Sequence, residues 1–147
     1  RRAIRVGTCG ALDGTLELGE RVRAESALGE ADAARALGAA EPLSADPGLY
    51  ARLEGAGPAV RVVTTDFFYE RRPEPRRSWV AGGAQVVDME TAALFALGPQ
   101  LGVATAALLI VTDVFPGGKR RRIEDGALAE AVERMGRAAA AALAEGG

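Results

Sequence analysis

The chain has 147 residues, enough for one domain with a single sizeable core. With 48% hydrophobic and 26% charged residues it has the balance of a globular protein, and a formal net charge of −2 lacks the basic excess that a non-specific nucleic-acid surface needs. No apolar stretch reaches the roughly 18 residues of a membrane span, no secretory leader is expected, and zero His with a lone Cys9 argues against a zinc or transition-metal site and fits the cytoplasm.

In chain order, Ala3-Ile4-Arg5-Val6 predicts a short strand ending in a Gly7-Thr8-Cys9-Gly10 turn. The first residue is Arg1 and the strand pattern starts almost at once, so all 147 residues read as the C-terminal portion of a single domain whose N-terminal part is missing. Alternation at Arg21-Val22-Arg23 predicts a second strand within Leu18–Leu28. Asp46 followed by Pro47 is an N-cap and first-turn pair, predicting a short helix from Pro47 to about Glu54. The β-branched run Val60–Thr65 predicts a strand. Glu70–Arg77, charged and carrying two prolines, predicts an exposed, mobile loop. A strand ends near Val87-Asp88, and Met89–Leu97, apolar nearly all round, predicts a buried helix that Gly98-Pro99 terminates or kinks. The apolar run Val103–Thr112 is expected of a central strand covered on both faces, with Asp113 just past its end. From Asp125 to Glu145, Leu128, Val132, Met135, Ala139 and Leu143 recur at helical spacing, predicting an amphipathic final helix. Strands alternating with helices predict an α/β fold with a mixed, mostly parallel central sheet flanked by helices.

The chemistry gathers at a few places. In Val87–Ala93 two carboxylates, Asp88 and Glu90, sit inside an apolar run, where desolvation costs energy unless something pairs with them. The hydroxyls of a ribose would satisfy Glu90; Asp88 fits a helix N-cap equally well. Thr8, Phe68, Glu90 and Asp113 all fall at strand ends, the edge where open α/β sheets bind ligands. Arg5 and Thr8 with Gly7 and Gly10 supply the cation, hydroxyl and open backbone N–H groups an oxyanion requires, and fit an outward strand position beside a plain turn as well. Phe68 and Tyr69 suit either a core or a stacking role, and Asp113 either a cap or a general acid. Cys9, with no base in sight, reads as a packing residue, and Lys119–Arg122 as a solvated loop.

These segments, RVGTCGAL at 5–12, TTDFFY at 64–69, VVDMETAALFAL at 86–97 and LLIVTDVF at 108–115, resemble the nucleoside phosphorylase family of hexameric purine nucleoside phosphorylases and uridine phosphorylases. The resemblance covers Ile4 to about Leu143. It implies phosphorolysis of nucleosides to free base and ribose 1-phosphate, in a cytoplasmic homo-oligomer, a hexamer in the family, with inorganic phosphate as co-substrate and no cofactor. By the same resemblance Arg5 and Thr8 bind phosphate, Phe68 packs on the base, Met89 lies under the ribose, Glu90 holds its 2′- and 3′-hydroxyls, and Asp113 protonates a purine as the glycosidic bond breaks. A phosphate-binding glycine loop, a second phosphate-binding Arg and a His that a neighbouring subunit gives to the ribose have no counterpart in this sequence, and Pro99 interrupts a helix that usually runs through. Glu70–Glu74 lacks the Gln of uridine phosphorylases, and Asp rather than their usual Asn at 113 favours purines. Uridine phosphorolysis, a nucleosidase that uses water, and a non-catalytic nucleoside-binding protomer are the alternatives.

Overall fold

The computed structural model of the chain describes residues 1–12, 14–38, 42–67 and 73–144. Seven strands form one sheet: β1 (Arg2–Ala11), β2 (Arg21–Gly29), β3 (Leu43–Ser44), β4 (Ala59–Thr64), β5 (Val86–Asp88), β6 (Ala104–Val114) and β7 (Arg121–Arg122). They lie in the order β3-β2-β4-β5-β1-β6-β7, and the sheet curls until β2 also pairs with β6. The pairs β1–β6, β2–β4 and β4–β5 are parallel; β1–β5, β2–β6 and the short edges β3 and β7 are antiparallel. A mixed α/β sheet is what the alternation of elements predicts.

The core centres on β6, where Ala106 to Val111 are wholly removed from solvent. Each large side chain buried there contributes about 1.5–3 kcal/mol gross, which is why a continuous apolar run stays in the middle of a sheet. Helix α4 (Thr91–Gln100) packs on β2, β4 and β6, and α5 (Asp125–Ala144) packs on β1 and β6. Gly98 permits the close approach of α4 to the start of β6, since a β-carbon there would lie 2.6 Å from Thr105 Cγ2. The short helices are α1 (Asp32–Ala36) and α2 (Pro47–Ala51); in α2 the Asp46 carboxylate accepts from the Leu49 N–H at 2.8 Å, the expected cap.

Five expectations change. The Gly7–Gly10 segment is not a turn, because β1 pairs with β6 from Arg2 through Gly10 and the backbone has no reason to reverse. Asp113 lies inside β6, not beyond it. Residues Pro73–Ala81 form helix α3, so the prolines at 73 and 75 sit in a first turn, where the missing N–H costs nothing. Helix α4 begins at Thr91 and runs through Pro99 to Gln100; the proline is accommodated in the last turn, with Leu101 N–H bonded back to Leu97 and Gly98. In α5 the buried stripe is Ala131, Met135, Ala139 and Ala142, while Val132 is exposed; small alanines let this helix seat closely on the sheet.

Candidate active site

β5 runs antiparallel to the end of β1, with Val86 opposite Ala11 and Val87 opposite Gly10, so the chain beyond it carries Asp88, Met89 and Glu90 back along the Arg5–Cys9 stretch. Arg5 Nε donates to Asp88 Oδ2 at 3.2 Å and its Nη2 donates to Glu90 Oε2. The guanidinium lies over Gly7, where any β-carbon would overlap Nη1. The glycine of the RVGT segment thus provides room for an arginine, not a bend.

The two carboxylates differ. The Asp88 side chain is fully buried, and it accepts from the Thr64 hydroxyl at 2.7 Å, the Thr91 N–H at 3.1 Å and the Thr91 hydroxyl. Thr64 Oγ1 in turn accepts from the Ala92 N–H at 2.9 Å. Asp88 and Thr64 together satisfy the first two open N–H groups of α4, as a helix start requires. Glu90, by contrast, has a side chain 60% exposed and makes no capping bond. The expectation of a buried, unpartnered Glu90 is therefore corrected: the desolvated carboxylate is Asp88, and Glu90 leans into solvent with Arg5 as its partner.

At the other end, the β1–β6 register shifts by one residue between Cys9 and Gly10, so that Gly10 sits opposite Asp113. Asp113 is buried; Oδ1 accepts from Arg120 Nε at 2.6 Å and Oδ2 from the Thr112 hydroxyl at 2.9 Å. Nearby, the Arg76 guanidinium lies 4.4 Å over the Phe115 ring and donates from Nη2 to Leu12 O at 2.7 Å. Between Arg5 and Asp113 lies Cys9, its Sγ 3.6 Å from Ile110 O. Burial above all, then the charges of Asp88 and Asp113, push its thiol well above the ordinary range, with Arg5 pulling the other way. A buried thiol kept protonated is no nucleophile, in line with a packing role.

One cavity of about 490 Å³ is lined by Arg5, Thr8, Met89 and Glu90 and also by Asp113, Phe115, Arg76 and Arg120. Five of the six residues singled out from the sequence therefore meet in one concavity; Glu90, just past β5, and Asp113, next to last in β6, lie at strand ends, whereas Arg5 and Thr8 lie within β1. The sixth, Phe68, lies outside the described residues; its neighbour Phe67, largely exposed, lines the same cavity. Arg76, Phe115 and Arg120 escaped the sequence reading. Arg76 is hidden by the proline-rich look of its helix, and Arg120 belongs to a run read as solvated, although a base seven residues after a buried acid was the available signal. Among the described residues no three His, Cys, Asp or Glu side chains gather to hold a metal ion, and no helix is long and apolar enough to cross a membrane.

A curled mixed sheet whose β1–β5 seam sets an arginine and two carboxylates against a third acid, Asp113, defines the class. The sequence signature of the Phosphorylase superfamily matches residues 1–145, and the chain belongs to that family. It is 32% identical over 135 residues to a DeoD-type purine nucleoside phosphorylase of Alkaliphilus metalliredigens, covering 81% of this chain and 55% of that protein. A guanosine phosphorylase of Halorubrum lacusprofundi is 29% identical over 129 residues, 80% of this chain and 52% of the relative. Among solved structures, the purine nucleoside phosphorylase of Toxoplasma gondii in complex with immucillin-H is similar with a TM-score of 0.78 and 26% identity, over 95% of this chain and 62% of that one. The chain thus spans a little over half the length of the curated relatives it matches.

Proposed function

We propose that the protein cleaves purine nucleosides by phosphorolysis, releasing the free base and ribose 1-phosphate. The observation that carries this reading is the shared cavity: the Arg5 guanidinium beside the exposed Glu90 carboxylate at one end, and the Asp113 carboxyl at the other. Relatives named for purine nucleoside and guanosine phosphorolysis support the same substrate class.

In this reading phosphate binds against Arg5 and the Thr8 hydroxyl, the ribose lies on Met89, and Glu90 accepts its 2′- and 3′-hydroxyls. As the C1′–N9 bond breaks, positive charge grows on the sugar and the bond's electron pair goes to the base. A phosphate oxygen closes the new bond to C1′, and a proton from Asp113 arrives at the purine N7. Arg120 Nε and the Thr112 hydroxyl each occupy one oxygen of the Asp113 carboxyl, which leaves a lone pair for that proton. Phe67 at the cavity wall, with Phe68 next to it in sequence, supplies aromatic surface for the base. The reading extends to a cytoplasmic homo-oligomer, for which exposed Val6, Leu97, Leu101 and Val132 offer apolar contact surface; sedimentation velocity measures that state.

One observation favours water as the acceptor instead: Arg5 already has two carboxylate partners, which lowers its appeal to an anion. Base release from inosine and guanosine, measured with and without phosphate, decides between the two. Release that depends on phosphate and yields ribose 1-phosphate is the expected result; equal release without phosphate means a nucleosidase.

A further inference from the structure

Asp88 has no part in the substrate contacts assigned above, yet its side chain accepts hydrogen bonds from Thr64, Thr91 and Arg5. A carboxylate offers about four acceptor sites. Four donors fill them here: the Thr64 hydroxyl, the Thr91 N–H, the Thr91 hydroxyl and Arg5 Nε. With its side chain fully buried and every lone pair engaged, Asp88 has nothing left for a ligand. Glu90, two residues on, has the reverse character, because it is mostly exposed and, among the described residues, bonded through its side chain to Arg5 alone.

We infer that Asp88 is a positioning residue for the anion-binding end of the cavity. It touches no substrate; it fixes the Arg5 guanidinium by its Nε, and leaves the outer N–H groups to the cavity. Three of its four bonds anchor it to the end of β4 and the first turn of α4, so the arginine is referenced to the same rigid corner that carries Glu90. Gly7 completes the arrangement from below, as the position whose side chain would evict the guanidinium. Arg5 and Glu90 therefore keep a fixed relation to each other, as phosphate and ribose must when one attacks the other. The inference rests on the phosphorolysis reading for the identity of the anion, and on the geometry alone for the contact.

The test is a double-mutant cycle in the intact protein, with kcat/KM for phosphate as the readout. Asp88→Asn removes the charge facing Arg5 and is expected to lower that value by about tenfold or more, while the nucleoside KM changes by less than about threefold. In an Arg5→Ala background the same change is expected to cost no more than about twofold, because a residue acting through Arg5 has nothing left to act on. Thr64→Val removes one bond to Asp88 and the cap on the Ala92 N–H but leaves the charge facing Arg5, and is expected to cost clearly less than Asp88→Asn. Equal loss from Asp88→Asn in both backgrounds, or equal loss from Thr64→Val, overturns the inference. Asp88→Glu keeps the charge but lengthens the arm, and serves if the Asn variant fails to fold; a smaller loss that also vanishes with Arg5→Ala is expected. A second readout needs no activity. The Arg5 Nε–H proton resonance, identified by its absence in Arg5→Lys, is expected to be protected from solvent exchange in the wild type and exposed in the Asp88 variants. Unchanged protection overturns the contact. Base release that ignores phosphate sinks the phosphorolysis reading instead, and leaves the resonance to decide what Asp88 does.

Discussion

The two ends of the cavity are built differently. The Arg5–Asp88–Glu90 corner is assembled from β1, β5 and the start of α4, with a buried carboxylate at its centre and hydroxyls from Thr64 and Thr91 locking it. The Asp113 corner is a strand residue whose charged partner, Arg120, comes from the partly exposed segment between β6 and β7. One corner is locked by buried hydroxyls; the other takes its charged partner from a partly exposed side chain. That difference suits the chemistry proposed for each. An anion and a ribose need fixed positions, whereas a proton donor must gain and lose a proton on every turnover.

The comparison is broken most forcefully at Asp113. Asp113→Asn keeps the shape and a hydrogen bond but cannot release a proton, so kcat/KM for inosine and guanosine should fall roughly 10²–10⁴-fold while thermal stability stays close to wild type. Steady-state kinetics alongside calorimetry check both halves; a large stability loss would mean that this corner is as structural as the other. Asp88→Ala should do the opposite first, destabilising the fold by about 3 kcal/mol in denaturant titration, since it strips partners from a buried hydrogen-bonded cluster. Glu90→Gln leaves the fold alone, because the side chain is exposed, and should lower activity about tenfold through weaker acceptance from the ribose hydroxyls. If 2′-deoxynucleosides and ribonucleosides suffer alike, Glu90 does not hold that hydroxyl.

The smallest effect falls on Cys9, between the corners. Its thiol is pushed up on folding, so the fold favours the protonated form. That contribution is intact below the unfolded value near pH 9 and is lost as pH rises above it, by about 1 kcal/mol one pH unit higher. Cys9→Ala should flatten the alkaline side of the stability profile by that amount, and native protein at pH 8 should resist iodoacetamide.

Local signals in the sequence were reliable where the answer was local. The Asp46-Pro47 cap and the buried strand of 103–112 were legible because a cap depends on neighbours in sequence and a covered strand on apolar content alone. What failed depended on distant partners. Gly7 looks like a bend unless one knows that Arg5 folds over it, and Gly7–Gly10 stays extended only because β6, a hundred residues later, pairs with it. Asp88 and Glu90 look alike in an apolar run; which one is buried depends on Thr64, in another strand. Pro73 and Pro75 read as loop until the chain around them is seen to be helical. Five of the six candidate residues share one cavity because the seam brings their segments together, with Glu90 and Asp113 at strand ends and Arg5 and Thr8 within β1.

The one-residue slip between β1 and β6 has a consequence of its own. Up to Cys9 the two strands march in step; past it, β6 has used one residue more than β1, and Gly10 meets Asp113 where even pairing would have offered Thr112. Successive strand residues point to opposite sides, so an extra residue re-aims everything that follows it. Whether an acid reaches the cavity is therefore a matter of arithmetic along β6 as much as of which residue is there. A lineage could lose the site without changing one functional side chain, by a single in-frame deletion ahead of Asp113.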